Sequence, residues 1–191
     1  YGVKEFAGVK VAFIGMTLQA TPGIVTPTGV AGLEFREEAA TVNALIPELR
    51  AAGIESIVVL VHQGGFQTGS LSDINACEGN LAGSEIASIV SRLDDAVDLV
   101  ISGHTHAAYN CKLPNVTGRK IAVTSTPAFG RVLTAVDLSI DPGTRDVTAA
   151  SATNVLTSRA ADSGVLADAA VTKIVDGYKA LVSPIASQVL G

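Results

Sequence analysis

Residues 56–65 read SIVVLVHQGG. An unbroken apolar run, rich in β-branched residues, stops at His62, and Gly64 and Gly65 follow. A run of this length and type fits a strand buried on both faces, as in a parallel sheet. The residues before it are helical in pattern. From Glu37 to Ala52 the apolar positions Val42, Leu45, Ile46 and Leu49 keep a 3.6-residue period, and Gly53 is a good stop. Pro47 predicts a kink or a restart within this helix. Downstream, Ser84 to Leu93 forms a short helix with Ile86, Ile89, Val90 and Leu93 on one face, and AVDLVIS (96–102) is the next strand. Helix, strand, helix, strand is the alternation of an α/β sandwich with a covered sheet.

Working outward, VKVAFIG (9–15) reads as another buried strand, and residues 21–35 as an excursion punctuated by Pro and Gly. Residues 63–80 are a long polar loop. Three later segments, 120–126, 131–140 and 145–155, are predicted as antiparallel strands in meander order, with Asp141-Pro142-Gly143 as the turn between the last two. Residues 165–190 carry a long amphipathic stripe, including Leu166, Ile174, Tyr178, Leu181 and Ile185, predicted to break near Pro184.

Apolar residues make up 48% of the 191-residue chain and charged ones 16%, which excludes a disordered polyelectrolyte. The net charge is −5 and no block of Lys or Arg occurs, so the electrostatic footprint of a nucleic-acid polymer binder is missing. No apolar run approaches the ~20 residues of a membrane span. Tyr1 is not a start residue, and the chain is expected to be a piece of a longer protein. Cys77 and Cys111 lie in polar, loop-like contexts and are expected to form a disulfide, which places the protein outside the cytosol: extracellular, periplasmic or at the cell wall. Asn115-Val116-Thr117 matches a glycosylation tripeptide, a pattern too common to carry weight.

The chain has three histidines, and all stand at predicted strand ends within three residues of a glycine. His62 closes SIVVLVH; His104 and His106 follow the second strand in DDAVDLVISGHTHAAYNC (94–111). Ligands of α/β sheets gather at the carboxyl ends of strands. If the two strands are neighbours, the imidazoles converge at one edge, and imidazole suits Zn, Mn, Fe or Ni. The bland alternative is a set of ordinary surface or capping histidines.

VLVHQG (59–64) and GHTH (103–106) resemble the last two metal-binding motifs of the calcineurin-like metallophosphoesterases. The wider stretch, from about residue 8 to about 140, is similar to the bacterial secreted 5′-nucleotidase branch, and GYKALVSPIASQVLG resembles the helix leading out of its catalytic domain. The resemblance implies an α/β fold, part of a four-layer αββα sandwich. It also implies hydrolysis of nucleoside 5′-monophosphates or related nucleotides at two divalent ions (Zn, Mn, Mg or Fe). His62 and His104 would hold one ion and His106 the other. Two such ions activate water and polarise a phosphoryl oxygen. Residues 1–160 would be the second half of the catalytic domain, and 161–191 a helical linker toward a further domain.

The family also uses an Asp-x-His, a Gly-Asp-x-x-Asp and an Asn-His-Glu/Asp motif, and none occurs in this sequence. No catalytic histidine is therefore assigned here. The chain alone is expected to be inactive, to hold metal weakly or not at all, and to self-associate through an exposed apolar sheet face. Gln63 is a candidate for touching substrate. Asn110 and Arg131 are weaker ones, Asp94, Asp95 and Asp98 read as a solvated acidic cluster, and Phe129 as core. The alternatives are a 2′,3′-cyclic-nucleotide phosphodiesterase or another phosphoesterase on the same scaffold and, in a different class, a non-catalytic metal-binding or interaction module.

Overall fold

The computed structural model describes residues 1–69, 73–158 and 163–189, and the chain divides into two compact units, Tyr1–Thr157 and Ser158–Gly191. In the first unit a six-stranded sheet runs in the order β1-β2-β3-β4-β6-β5. Its parallel core is β2 (Val9–Met16), β3 (Ser56–Val61), β4 (Val97–Ser102) and β6 (Lys120–Ser125). Strands β3, β4 and β6 are almost wholly buried, as their continuous apolar runs require, and β2 is buried at Val9, Val11, Ala12 and Ile14. The antiparallel edges are β1 (Gly2–Phe6) and β5 (Tyr109–Pro114).

One face of the sheet is covered by α1 (Glu38–Ala51) and α2 (Glu85–Val90). Val42, Ile46 and Leu49 of the first helix and Ile86, Ile89 and Val90 of the second pack with Ile57, Val59, Val97 and Val100 in the main core. Glu37 caps α1 by accepting from the Ala39 and Ala40 amides, and Ser84 caps α2. On the other face lies a separate hairpin, β7 (Val132–Ile140) with β8 (Val147–Leu156). Val136, Leu138 and Ile140 of this hairpin meet Val11, Val58 and Leu99. The layers are thus helix, sheet, sheet.

Several expectations are corrected. The segment 120–126 is not part of a meander: β6 is parallel to β4 and sits inside the main sheet, because KIAVTS is buried on both faces whereas β7 alternates. Edge strand β1 escaped the sequence reading because its side chains are exposed on both faces and supply no period. Ala7 and Gly8, both at positive φ, make its tight turn. The helix α1 continues through Pro47, whose ring is on the solvent side. In the second unit α3 (Ala169–Ala186) likewise continues past Pro184 and starts only after the Asp168 cap. The sheet face expected to be bare is partly roofed by the hairpin. An open apolar cleft of about 380 Å³ remains, lined by Phe6, Phe13, Val58, Leu99 and Val136 among others.

The disulfide Cys77–Cys111 is present, with a Cα–Cα distance of 5.0 Å. Cys111 is not in a loop: it is a buried position of β5, where alternation across an edge strand hid it among polar neighbours. Asn115 is buried and its Nδ2 donates to Asp95 Oδ1 at 2.6 Å, so the glycan acceptor atom is already engaged. No helix among the described residues is long and apolar enough to cross a membrane.

Candidate metal centre

The site grows from the register of the parallel strands. The pairing of β2 with β3 is extended by the His62 amide, which donates to Met16 O at 3.0 Å. Strand β4 lies beside β3, with Val61 opposite Ser102, so the loops carrying His62 and His104 leave the sheet side by side. The Ser102 hydroxyl pairs with the Tyr109 hydroxyl at 2.5 Å and donates to Thr124 O, anchoring the end of β4 on a fully buried ring. Burial raises the Tyr109 phenol above its ordinary value, so it stays neutral there.

The two loops are stitched together. Gly103 N donates to Gln63 O at 3.2 Å, and Thr105 Oγ1 donates to Gly65 O at 3.0 Å. Gly64 has to be glycine. A Cβ there would sit 2.2 Å from Gly103 O and 2.5 Å from Thr105 Oγ1. His104 and His106 both adopt left-handed backbone, at φ +68° and +55°. Such conformations are uncommon for side chains other than Asn, Asp and His, and cluster at ligand-holding turns.

The consequence is a turn, not an extended His-x-His. His104 Nδ1 comes to 3.3 Å from His62 Nε2, with the rings edge-on. His106 is directed elsewhere, toward Phe129 at 6.3 Å between ring centroids. Two imidazole nitrogens on one tetrahedral ion, at Zn–N distances of ~2.0–2.1 Å, stand roughly 3.3 Å apart. The His62–His104 pair therefore fits two ligands of one ion. Among the described residues no group of three or more His, Cys, Asp or Glu is placed to complete a cage. Two imidazoles are by themselves a partial donor set for a divalent ion.

The other candidates have partners within the fold. Gln63 Oε1 accepts from the adjacent Gly64 amide. Asn110 bonds through its Nδ2 to Ala152 O. Asp98 is not solvated: it is 3% exposed, accepts from Ile57 N and pairs with Arg119 at 2.9 Å. Burial nevertheless pushes its carboxyl up to about 6. Asp94 caps the Ala96 amide, and Asp95 accepts from Asn115 and Thr117. Phe129 is 79% exposed, not core, with the Arg131 guanidinium over its ring at 5.6 Å.

Sequence reasoning missed three residues. Thr105, the middle residue of His-x-His, is the clasp between the loops. Gln67, 6% exposed, binds Ala108 O and Asp73 O while accepting from Glu78 N. Asn154 binds Ile74 O, Ser125 O and both Thr124 and Thr134 hydroxyls. An Asn deep in a strand pattern was the available signal, since strands are poor in Asn.

No protein-family model matches the chain. Over all 191 residues it is 31% identical to the endonuclease YhcR of Bacillus subtilis, of which it spans 14%. Over 115 residues, 58% of the chain, it is 35% identical to the cell wall protein Lmo0130 of Listeria monocytogenes, again 14% of that protein. Among solved structures, the 5′-nucleotidase precursor of Thermus thermophilus superposes with a TM-score of 0.76 at 20% identity, covering the whole chain and 36% of that one. The chain shares the α/β fold of this structure, which is also that of a calcineurin-like phosphoesterase. A calcineurin-like phosphoesterase of Bacillus subtilis, YfkN, also matches, at TM-score 0.65 and 18% identity over 94% of the chain and 54% of its own. In this calcineurin-like fold the chain spans about a seventh of the length of the curated relatives just named.

Proposed function

We propose that the chain is part of a metal-dependent phosphohydrolase acting on nucleoside 5′-monophosphates or related nucleotides. The observation that carries this reading is the 3.3 Å approach of His62 Nε2 and His104 Nδ1 at the carboxyl ends of adjacent parallel strands. His62 and His104 would hold one divalent ion and His106 would serve a second. Bound ions of this kind supply Lewis-acid polarisation of the phosphoryl oxygen and a nucleophilic hydroxide. What this chain's own residues do is position: Thr105, Gly103 and Gly64 hold the two histidine loops at a fixed separation. Residues 161–191 would act as a linker toward a further domain, and the disulfide fits a protein working at or beyond the cell surface.

A second reading is favoured by the 31% relative that is named an endonuclease: the ester would be a phosphodiester in a nucleic-acid chain. The net charge of −5 in this segment argues for the smaller substrate. The test is hydrolysis by the full-length protein, with Mn²⁺ or Zn²⁺, of a nucleoside 5′-monophosphate, a 2′,3′-cyclic nucleotide and single-stranded DNA. Turnover of the monophosphate, lost in His62→Ala and His104→Ala, is expected. Turnover of none of the three would reject the phosphoesterase reading in favour of a non-catalytic module. The 191-residue chain alone should show no turnover.

A further inference from the structure

The loop that carries both His104 and His106 runs from Gly103 to Ala108, between the end of β4 and the start of β5. The residues on either side of it, Ser102 and Tyr109, are bonded to each other through their hydroxyls at 2.5 Å, which closes the loop at its base. Ser102 gives its one proton to Thr124 O at 2.9 Å, so the Tyr109 phenol is the donor to Ser102 Oγ. The phenol is held firmly from behind. Tyr109 is 0% exposed, and its carbonyl accepts from Thr124 Oγ1 at 3.3 Å and from Asn154 Nδ2 at 3.2 Å. Two residues on, Cys111 fixes the same strand to the long connection after β3 by its disulfide. Burial raises the pKa of the phenol, with Ser102, Ser125 and the Gly65 backbone acting the other way. The Gly65 that borders the phenol is also the residue whose carbonyl accepts from Thr105.

We infer that Tyr109 is a positioning residue for the histidine loop: its hydroxyl, through Ser102, closes the loop and holds the left-handed backbone at His104 that brings Nδ1 to His62. A φ of +68° costs free energy for a residue with a Cβ and persists only where the surroundings over-determine it. The bond between Ser102 and Tyr109 fixes the base of the loop, Gly103 N to Gln63 O fixes its first residue against the neighbouring loop, and Thr105 Oγ1 to Gly65 O fixes its middle. The first bond governs the other two, because Ser102 ends β4 and its placement sets where Gly103 leaves the sheet. Packing alone does not call for the phenol oxygen. A phenylalanine ring fills the same apolar space, and a buried hydroxyl is unfavourable unless it is bonded. The consequence for a metal rests on the reading of His62 and His104 as ligands; closure of the loop does not.

The test uses the full-length protein as wild type, Tyr109→Phe, Ser102→Ala and the double variant. Val136→Ala serves as a core lesion in the hairpin cluster, to which Tyr109 does not belong. Circular dichroism verifies the fold of each, and if Tyr109→Phe does not fold, Ser102→Ala removes the same bond and carries the test. In the metal-free protein, hydrogen exchange of the Gly103 and Thr105 amides should quicken about fivefold or more in each single variant, and no further in the double. Zinc affinity should fall about tenfold or more in the same three variants. The visible spectrum of the cobalt-loaded protein should change with it, since it reads ligand geometry. Val136→Ala should keep the wild-type exchange, affinity and spectrum, which separates positioning from loss of stability. Unchanged exchange in the single variants, effects that add in the double, or losses as large in Val136→Ala would overturn the inference. Quickened exchange with wild-type zinc affinity and cobalt spectrum would overturn the positioning role. A wild type that binds neither metal, with the exchange pattern as expected, rejects the metal reading and leaves closure of the loop by Tyr109 standing.

Discussion

The Thr105 hydroxyl donates to the Gly65 carbonyl at 3.0 Å, and this bond fastens the loop of His104 and His106 to the loop that follows His62. The two loops come from neighbouring strands, 40 residues apart in sequence along this contact. Their separation, and hence the His62–His104 distance, depends on how closely the backbones pass.

Gly64→Ala tests that dependence. The added methyl would meet the Gly103 carbonyl and the Thr105 hydroxyl at sub-contact distances, forcing the loops apart. We expect stability to fall by about 1–3 kcal/mol and the zinc affinity of the full-length protein to drop by about tenfold or more, read by calorimetric titration. Wild-type zinc binding in the variant would show that loop spacing does not set the pair.

Asn154 fastens the hairpin to the strand layer. Its Nδ2 reaches Ile74 O, Tyr109 O and Ser125 O, its Oδ1 accepts from Thr124 and Thr134, and its backbone exchanges two bonds with the Asn75 side chain. Asn154→Ala strands several buried carbonyls and hydroxyls and should cost about 2–4 kcal/mol in urea unfolding. A loss below 1 kcal/mol would mean that water enters and replaces the carboxamide.

The Cys77–Cys111 bridge closes a loop of 34 residues between the long connection after β3 and edge strand β5. On chain-entropy grounds its removal, as the Cys77→Ser/Cys111→Ser pair or by reductant, should lower stability by about 4 kcal/mol. Matching denaturation curves with and without reductant, together with a free-thiol assay proving reduction, would contradict this.

Asp98 predicts a pH dependence. Its carboxyl sits at about 6 in the folded chain, above its ordinary 3.8, because burial outweighs the Ile57 amide and the Arg119 guanidinium. The folded state therefore holds a proton that the unfolded state has released. The contribution of this group is fully present below about pH 4 and is lost as pH rises through 6. Asp98→Asn keeps an acceptor for Ile57 N but cannot titrate. Between pH 4 and 7 the wild type should lose up to about 3 kcal/mol relative to this variant, measured by urea melts at each pH. Parallel pH profiles would put the Asp98 carboxyl near its ordinary value.

Legibility in the sequence followed burial symmetry. The interior strands β2, β3 and β4 announce themselves as apolar runs, and α1 and α2 through their period. Edge strands do not: β1 carries no burial period, and Cys111 in β5 stands among polar neighbours. Phe129 was misplaced by its type alone. Its backbone, at φ +69°, belongs to the turn before β7 and carries the ring outward.

By itself the sequence determined the α/β order of 37–102, the placement of every histidine at a strand end, and the pairing partners of the disulfide. Those follow from local period and from the presence of only two cysteines. Only the tertiary structure decided that β6 enters the parallel sheet, and that His62 and His104 meet at 3.3 Å while His106 turns toward Phe129. Those depend on strand register, on two left-handed histidine backbones and on a hydroxyl bond across 40 residues. None of these leaves a mark in a local pattern, because each is fixed by which segments pack together.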